Sequence, residues 1–224
     1  MRLRLLYNPA AGRGRARRKI DEVVKYLVAR GANIDVVQTG SPEHLVAVAA
    51  KTSHEHCDVL VVCGGDGTLN LTIRELDLAT VRLGIIPMGS GDDFAQALRI
   101  PRDVRAACEV VLGGVVREVD VATANGRRYL GVAGLGFDSQ VAKYANSVQR
   151  LKGTLVYLYS ILRVLPQFKP HHVRVRVDDV ERQEEIMFAV VGNSPRYGAG
   201  IYIVPTAEVD DGILDLCMVR RSGI

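Results

Sequence analysis

The stretch Asp58 to Asn70, DVLVVCGGDGTLN, runs an apolar strand straight into a glycine-rich turn that carries a carboxylate and then opens a helix. Gly64, Gly65 and Gly67 let the backbone turn sharply and approach a ligand, while the free N–H groups of the next helix face outward. Asp66 adds a hard oxygen acceptor of the kind that takes Mg²⁺. An anion cradle beside a cation ligand suits a nucleotide triphosphate with its metal, and the carboxyl end of a strand is where α/β sheets bind ligands. The spacing is neither the Walker P-loop nor GxGxxG. The plain alternative is a tight turn whose aspartate caps the helix.

The same pattern returns at Leu83 to Leu98, LGIIPMGSGDDFAQAL, with Ser90, Asp92 and Asp93 where the helix begins. Two such loops would face each other across one sheet, and an ordinary N-cap role stays open for Asp92 or Asp93. Around them, strands (RLRLLY, NIDVVQT, DVLVVC, RLGIIP) alternate with helices near Arg15 to Arg30, Pro42 to Lys51, after Gly67 and near Val104 to Leu112. This predicts a doubly wound parallel sheet in an α/β domain over residues 1–114. Beyond it the character changes to β-rich runs around the hairpin signal Asn125-Gly126. Strands near Val173 to Val177, Ile186 to Val191 and Leu214 to Val219 then predict a second domain over residues 115–224. Leu151, Leu155, Leu158, Tyr159, Leu162 and Leu165 form an apolar stripe at helical spacing. It is expected to pack on a sheet, the alternative being a lipid cleft or a membrane.

With 224 residues, 48% of them hydrophobic, the chain can bury one large core or two modest ones. No apolar run is long enough to span a bilayer and no signal peptide opens the chain, so a cytoplasmic location is expected. Cys57, Cys63, Cys108 and Cys217 form no CxxC pair, which leaves disulfide and zinc readings little support. His54 and His56 flank Glu55 in a polar turn that reads as solvated. The net charge of +4 is concentrated in Arg13, Arg15, Arg17, Arg18 and Lys19; that cluster is either a solvated helix face or an attraction for phosphates or an anionic membrane. Nucleic acid is not expected as a partner, since aromatics make up 5% of the chain with no Trp.

Five motifs in order then identify a resemblance: YNPAAGRG (Tyr7 to Gly14), GGDGTLN, IIPMGSGDDFA, GVAGLGFDSQVA (Gly131 to Ala142) and VPTAEVDDGILDL (Val204 to Leu216). Together they resemble the diacylglycerol kinase catalytic family, which includes sphingosine kinases and bacterial YegS-like lipid kinases. The resemblance implies a β-sandwich-like second domain, ATP bound between the domains, and Mg²⁺-dependent transfer of phosphate to a lipid hydroxyl at a membrane surface. It implies nucleotide contacts at Asn8, Pro9, Ala10, Ala11, Gly12, Thr39, Gly64, Gly65, Asp66, Gly67, Thr68, Leu69, Asn70 and Ser90. Asp66, Asp93 and Asp120 fall where the family organises metal and water, with Asp66 and Asp93 the catalytic candidates. A further Mg²⁺ would be held by Asp211 with the carbonyls of Glu208 and Ile213.

The chain departs from that family in three places. It has Asp92 where Asn is usual and Leu71 where Glu is usual, and it stops at Ile224, before the segment that carries the family's proposed general base. The extra charge at Asp92 is expected to repel phosphate unless a basic side chain compensates it. The second domain is therefore expected to be incomplete, with the base lying beyond Ile224. An NAD kinase-like enzyme and a non-catalytic nucleotide- or lipid-binding protein stand as the rival readings, and a sheet edge in the second domain is a candidate surface for a homodimer.

Overall fold

The computed structural model describes residues 1–52, 56–148, 154–198 and 200–220. By packing, the chain divides into two compact units, Met1–Gly131 with Asn193–Leu214, and Val132–Gly192 with the residues from Asp215 onward.

The first unit is built on four parallel strands, β1 (Arg2–Tyr7), β2 (Asn33–Gln38), β3 (Val59–Gly64) and β4 (Arg82–Pro87), in the order β2-β1-β3-β4. Helices α1 (Ala11–Ala29), α2 (Pro42–Ala50), α3 (Asp66–Ile73), α4 (Asp93–Ala97) and α5 (Val104–Gly113) cover it. β3 is apolar throughout and buried on both faces, and β1 and β4 are buried over their second halves, whereas the edge strand β2 has no buried residue. Leu3, Leu5, Val61, Cys63 and Ile86 meet Val23 and Leu27 of α1 and Ala107 and Val111 of α5. The intervening Leu6 and Leu60 meet Leu45 of α2, while Val62 and Ile85 meet Leu69, Ile73 and Phe94. Each fully buried leucine or isoleucine here contributes about 1.5–3 kcal/mol. Cys63 and Cys108 belong to the first of these cores; burial raises both thiol pKa values, that of Cys108 to about 11, so they stay protonated packing groups.

Regular helix in α1 begins only after Gly12, Arg13 and Gly14, whose φ values of 57°, 57° and 80° are left-handed. A hairpin of β5 (Ala122–Ala124) and β6 (Arg127–Tyr129) turns through Asn125 and Gly126 at φ 50° and 74°, the twist that suits a two-residue connection. The boundary expected at residue 114 falls inside this unit. Residues 115–131 remain with it because Val119, Leu130 and Val209 pack against the α3–α4 core.

The second unit holds β7 (Val132–Gly136), α6 (Phe137–Ser147), α7 (Thr154–Val164), β8 (His171–Val177) and β9 (Val180–Gly192). The chain then adds β10 (Arg196–Tyr197) and β11 (Ile201–Tyr202) to the first unit before β12 (Asp215–Arg220) completes the second sheet. That sheet is antiparallel and centred on β9, with β12 along one edge and β7 and β8 sharing the other. The apolar stripe of α7 does not pack as expected. Among its described side chains, Val156 and Ser160, one turn apart, are buried, whereas Leu158, Tyr159, Leu162 and the following Leu165 are exposed. Leu151 and the side chain of Leu155 lie outside the described residues, as do His54 and Glu55. Among the described residues no helix is long and apolar enough to cross a membrane.

Candidate active site

The direction of connection reverses between β1 and β3, which makes their carboxyl ends the topological switch point of the sheet. The glycine turns after β1, β3 and β4 all leave from this edge, and they touch. A Cβ on Gly12 would overlap the Met88 carbonyl oxygen, so the first turn lies directly on the third. A Cβ on Gly65 would come within 2.8 Å of the Gly89 Cα, and one on Gly89 within 2.5 Å of the Gly65 Cα. The two turns expected to face each other therefore meet backbone to backbone. Gly67 differs: a Cβ there would have open space, and its φ is not left-handed. Packing thus requires glycine at positions 12, 65 and 89 but not at 67.

Several residues expected at the nucleotide shape the turns through their side chains. The Asn8 carboxamide oxygen accepts from the Ala10 N–H at 2.9 Å. Thr39, 1% exposed, donates to the Tyr7 carbonyl through both its N–H and its hydroxyl, tying the end of β2 to β1. Leu69 is core and Thr68 is buried, and Asn70 accepts from the Leu130 N–H at 2.7 Å. Pro9 and Ala11 are half-buried beside the exposed Ala10, and Ser90 is exposed. Leu71 packs, partly buried, against the α2–β3 core.

Asp66 does cap a helix, but not its own. Its two oxygens accept the N–H groups of Asp93 and Phe94, at 3.1 and 3.0 Å, and so cap α4. Asp92 occupies the N-cap position of α4 without capping it, because its left-handed backbone, φ 55°, leaves the carboxylate to bond backward to the Gly89 N–H at 2.6 Å. The other Asp92 oxygen meets Arg102 Nη2 at 3.1 Å. The basic side chain needed to compensate Asp92 is therefore present. Burial raises the carboxyl pKa of Asp92, while the Gly89 N–H and Arg102 oppose that shift. Asp93 is buried at the first position of α4.

Asp120 joins the 208–213 turn. Its backbone N–H donates to the Val209 carbonyl at 2.7 Å, and its side chain accepts from the Gly212 N–H at 2.7 Å. Asp211 accepts from the Ile213 N–H at 3.0 Å, Glu208 is exposed, and Asp210 is paired with Arg117 at 2.7 Å, which lowers the Asp210 pKa. Asn193 donates to the Asp120 carbonyl at 2.8 Å, and its buried Oδ1 has no hydrogen-bond partner among the described residues. Arg102, Asn193 and Arg196, whose guanidinium stacks 4.2 Å from the Tyr202 ring centre and donates to Gln96 at 3.2 Å, are not marked by the sequence motifs. Asn193 and Arg196 act across long chain separations, and only the need for charge balance at Asp92 hinted at Arg102. All the site residues inferred from sequence lie in the first unit. A concavity of about 410 Å³ lined by Met1, Arg30, Ala32, Glu109 and Leu112 lies at the opposite, amino edge of the sheet, away from the turns.

Comparison with known proteins agrees with this architecture. Residues 2–124 match the model of the diacylglycerol kinase catalytic domain. Residues 131–223 match the YegS C-terminal NAD kinase beta sandwich-like domain. A diacylglycerol kinase of Staphylococcus saprophyticus is 30% identical over 226 aligned residues, covering 100% of this chain and 74% of that protein. One from Staphylococcus aureus is likewise 30% identical, with 72% of it covered. A crystal structure of a diacylglycerol kinase from Bacillus anthracis superposes with a TM-score of 0.78 at 26% identity, over 98% of this chain and 73% of that one. The chain belongs to the diacylglycerol kinase catalytic domain family, a family of lipid kinases.

Proposed function

We propose that the protein transfers the γ-phosphoryl group of ATP to the hydroxyl of a diacylglycerol-like lipid, with Mg²⁺ as the accompanying ion. The observation that carries this reading is the meeting of three glycine turns at the switch point of a parallel sheet, with the Asp66 carboxylate bridging two of them. Phosphoryl transfer needs mainly positioning and charge neutralisation, which amide donors and a nearby acidic group can supply. In this reading Asn8 to Gly12, Thr39, Gly64 to Asn70 and Ser90 surround the nucleotide, largely through their backbone. Gly67, free of any packing demand, is glycine so that the ligand can come close. Asp66 and Asp93 are the catalytic carboxylates.

The acidic residues fit Mg²⁺ as a donor set. Each Asp66 oxygen accepts one amide and keeps capacity for more, since a carboxylate has about four lone-pair sites. No cluster of three or more acidic, His or Cys side chains exists among the described residues, which suits an ion held mostly by phosphate oxygens and water. When bound, Mg²⁺ would neutralise the developing charge on the phosphate oxygens. Asp120 and Asp211, with the carbonyls of Glu208 and Ile213, would hold a second ion in the 208–213 turn.

The lipid acceptor is supported by the exposed apolar residues of α7, and a peripheral membrane association by those residues with the basic start of α1. Cosedimentation with anionic vesicles tests the association. The outer edge of β12, which pairs only with β9 among the described residues, is a candidate for pairing two protomers, which sedimentation velocity would detect. A second reading, NAD as the acceptor, is favoured by the match of residues 131–223 to an NAD kinase-like sandwich. Incubation with γ-labelled ATP, Mg²⁺, mixed-micelle lipids and NAD decides between them. Labelled lipid is expected; label in NAD alone would overturn the lipid assignment.

A further inference from the structure

The third glycine turn carries a buried negative charge at the rim of a cradle meant for anions. The Asp92 side chain is 1% exposed, and one of its oxygens lies on the Gly89 N–H, where the second and third turns touch. Asp66 and Asp93 add further carboxylates at the same corner. Like charges in a poorly solvated corner disfavour a bound phosphate unless a fixed cation offsets them. Arg102 stands in that position. Its Nη2 donates both to the Asp92 carboxylate at 3.1 Å and to the Ser90 carbonyl at 2.9 Å. Its own carbonyl accepts from Arg15 at 3.1 Å, which links α1 to the connection between α4 and α5.

We propose that Arg102 is a positioning residue of the phosphate cradle: by neutralising Asp92 it lets the third turn accept the phosphates of the nucleotide. The inference rests on the nucleotide reading above. It makes Asp92 and Arg102 a coupled pair, in which the aspartate is tolerated because the arginine is present. Burial already pushes the Asp92 carboxyl pKa upward, and Arg102 is one of the groups opposing that shift.

The coupling separates this role from a merely mechanical tie to Ser90. An asparagine at position 92 keeps an oxygen for the Gly89 N–H but carries no charge, so Arg102 should matter far less beside it. Calorimetric titration of Mg·ATP into the wild-type chain, Arg102→Gln, Asp92→Asn and the double variant reads this directly. Arg102→Gln is expected to weaken binding about tenfold or more, whereas adding it to Asp92→Asn should cost less than about threefold. Equal losses in the two backgrounds, or no loss in the wild-type background, would overturn the proposal. Should Arg102→Gln fail to fold, the Asp92→Asn pair still decides, a tenfold loss there being the contrary result. A wild-type chain that binds no ATP would instead remove the nucleotide reading on which the inference stands.

Discussion

The two units use apolar residues differently. In the first, the inner strands of a parallel sheet are covered on both faces, and alternate strand residues feed separate cores. In the second, an antiparallel sheet and two helices leave Leu135, Leu158, Leu162 and Leu165 exposed. A parallel sheet needs cover on both sides, while an antiparallel one can leave a face open. The lesson is one of placement: every candidate phosphate-handling residue is in the first unit, whereas the exposed apolar residues that share one helix, those of α7, are in the second, although the first unit also exposes Val115, Val116 and Ile213.

That contrast can be broken by experiment. Asp66→Ala should have the largest effect, lowering transfer about a thousandfold or more if the carboxylate serves the phosphates. It should also cost about 2 kcal/mol of stability, because the Asp93 and Phe94 N–H groups lose their acceptor. Label transfer together with thermal melts checks both, and an active variant would refute the role. Gly12→Ala should cost about 3 kcal/mol or more by chemical denaturation, since the new methyl meets the Met88 carbonyl from a left-handed backbone. In the second unit, Leu162→Ser, at a residue 64% exposed, should change stability by less than about 0.5 kcal/mol. Turnover of lipid in vesicles should nevertheless fall several-fold, and unchanged turnover would take α7 out of the lipid reading.

Much of the first unit was legible because its signals are local. The strands RLRLLY and RLGIIP match β1 and β4 residue for residue. Glycines delay the regular part of α1 to about Arg15, and Asn125-Gly126 makes the hairpin. The facing of the two later glycine turns also followed, since neighbouring parallel strands present their carboxyl ends together. What the local pattern did not carry was partnership. Asp66, read as a metal acceptor with a cap of α3 as the alternative, caps α4; Asp120 is bonded to a turn 92 residues away; Arg102 answers Asp92 across α4. The stripe on α7 was visible, but periodicity marks an apolar face without saying what covers it. Residues 115–131 change composition before they leave the first core, so composition and packing divide the chain at different places.

The most direct test of the cradle uses the glycine that the fold does not need. Calorimetric titration of Mg·ATP into Gly67→Ala, compared with the wild-type chain, should show binding weakened about tenfold or more. The variant should melt no lower than the wild type, since a helical Gly→Ala change with open space around it is stabilising by up to about 1 kcal/mol. Equal affinity in the two chains would contradict the account, because the backbone at position 67 would then not be where a phosphate comes to rest.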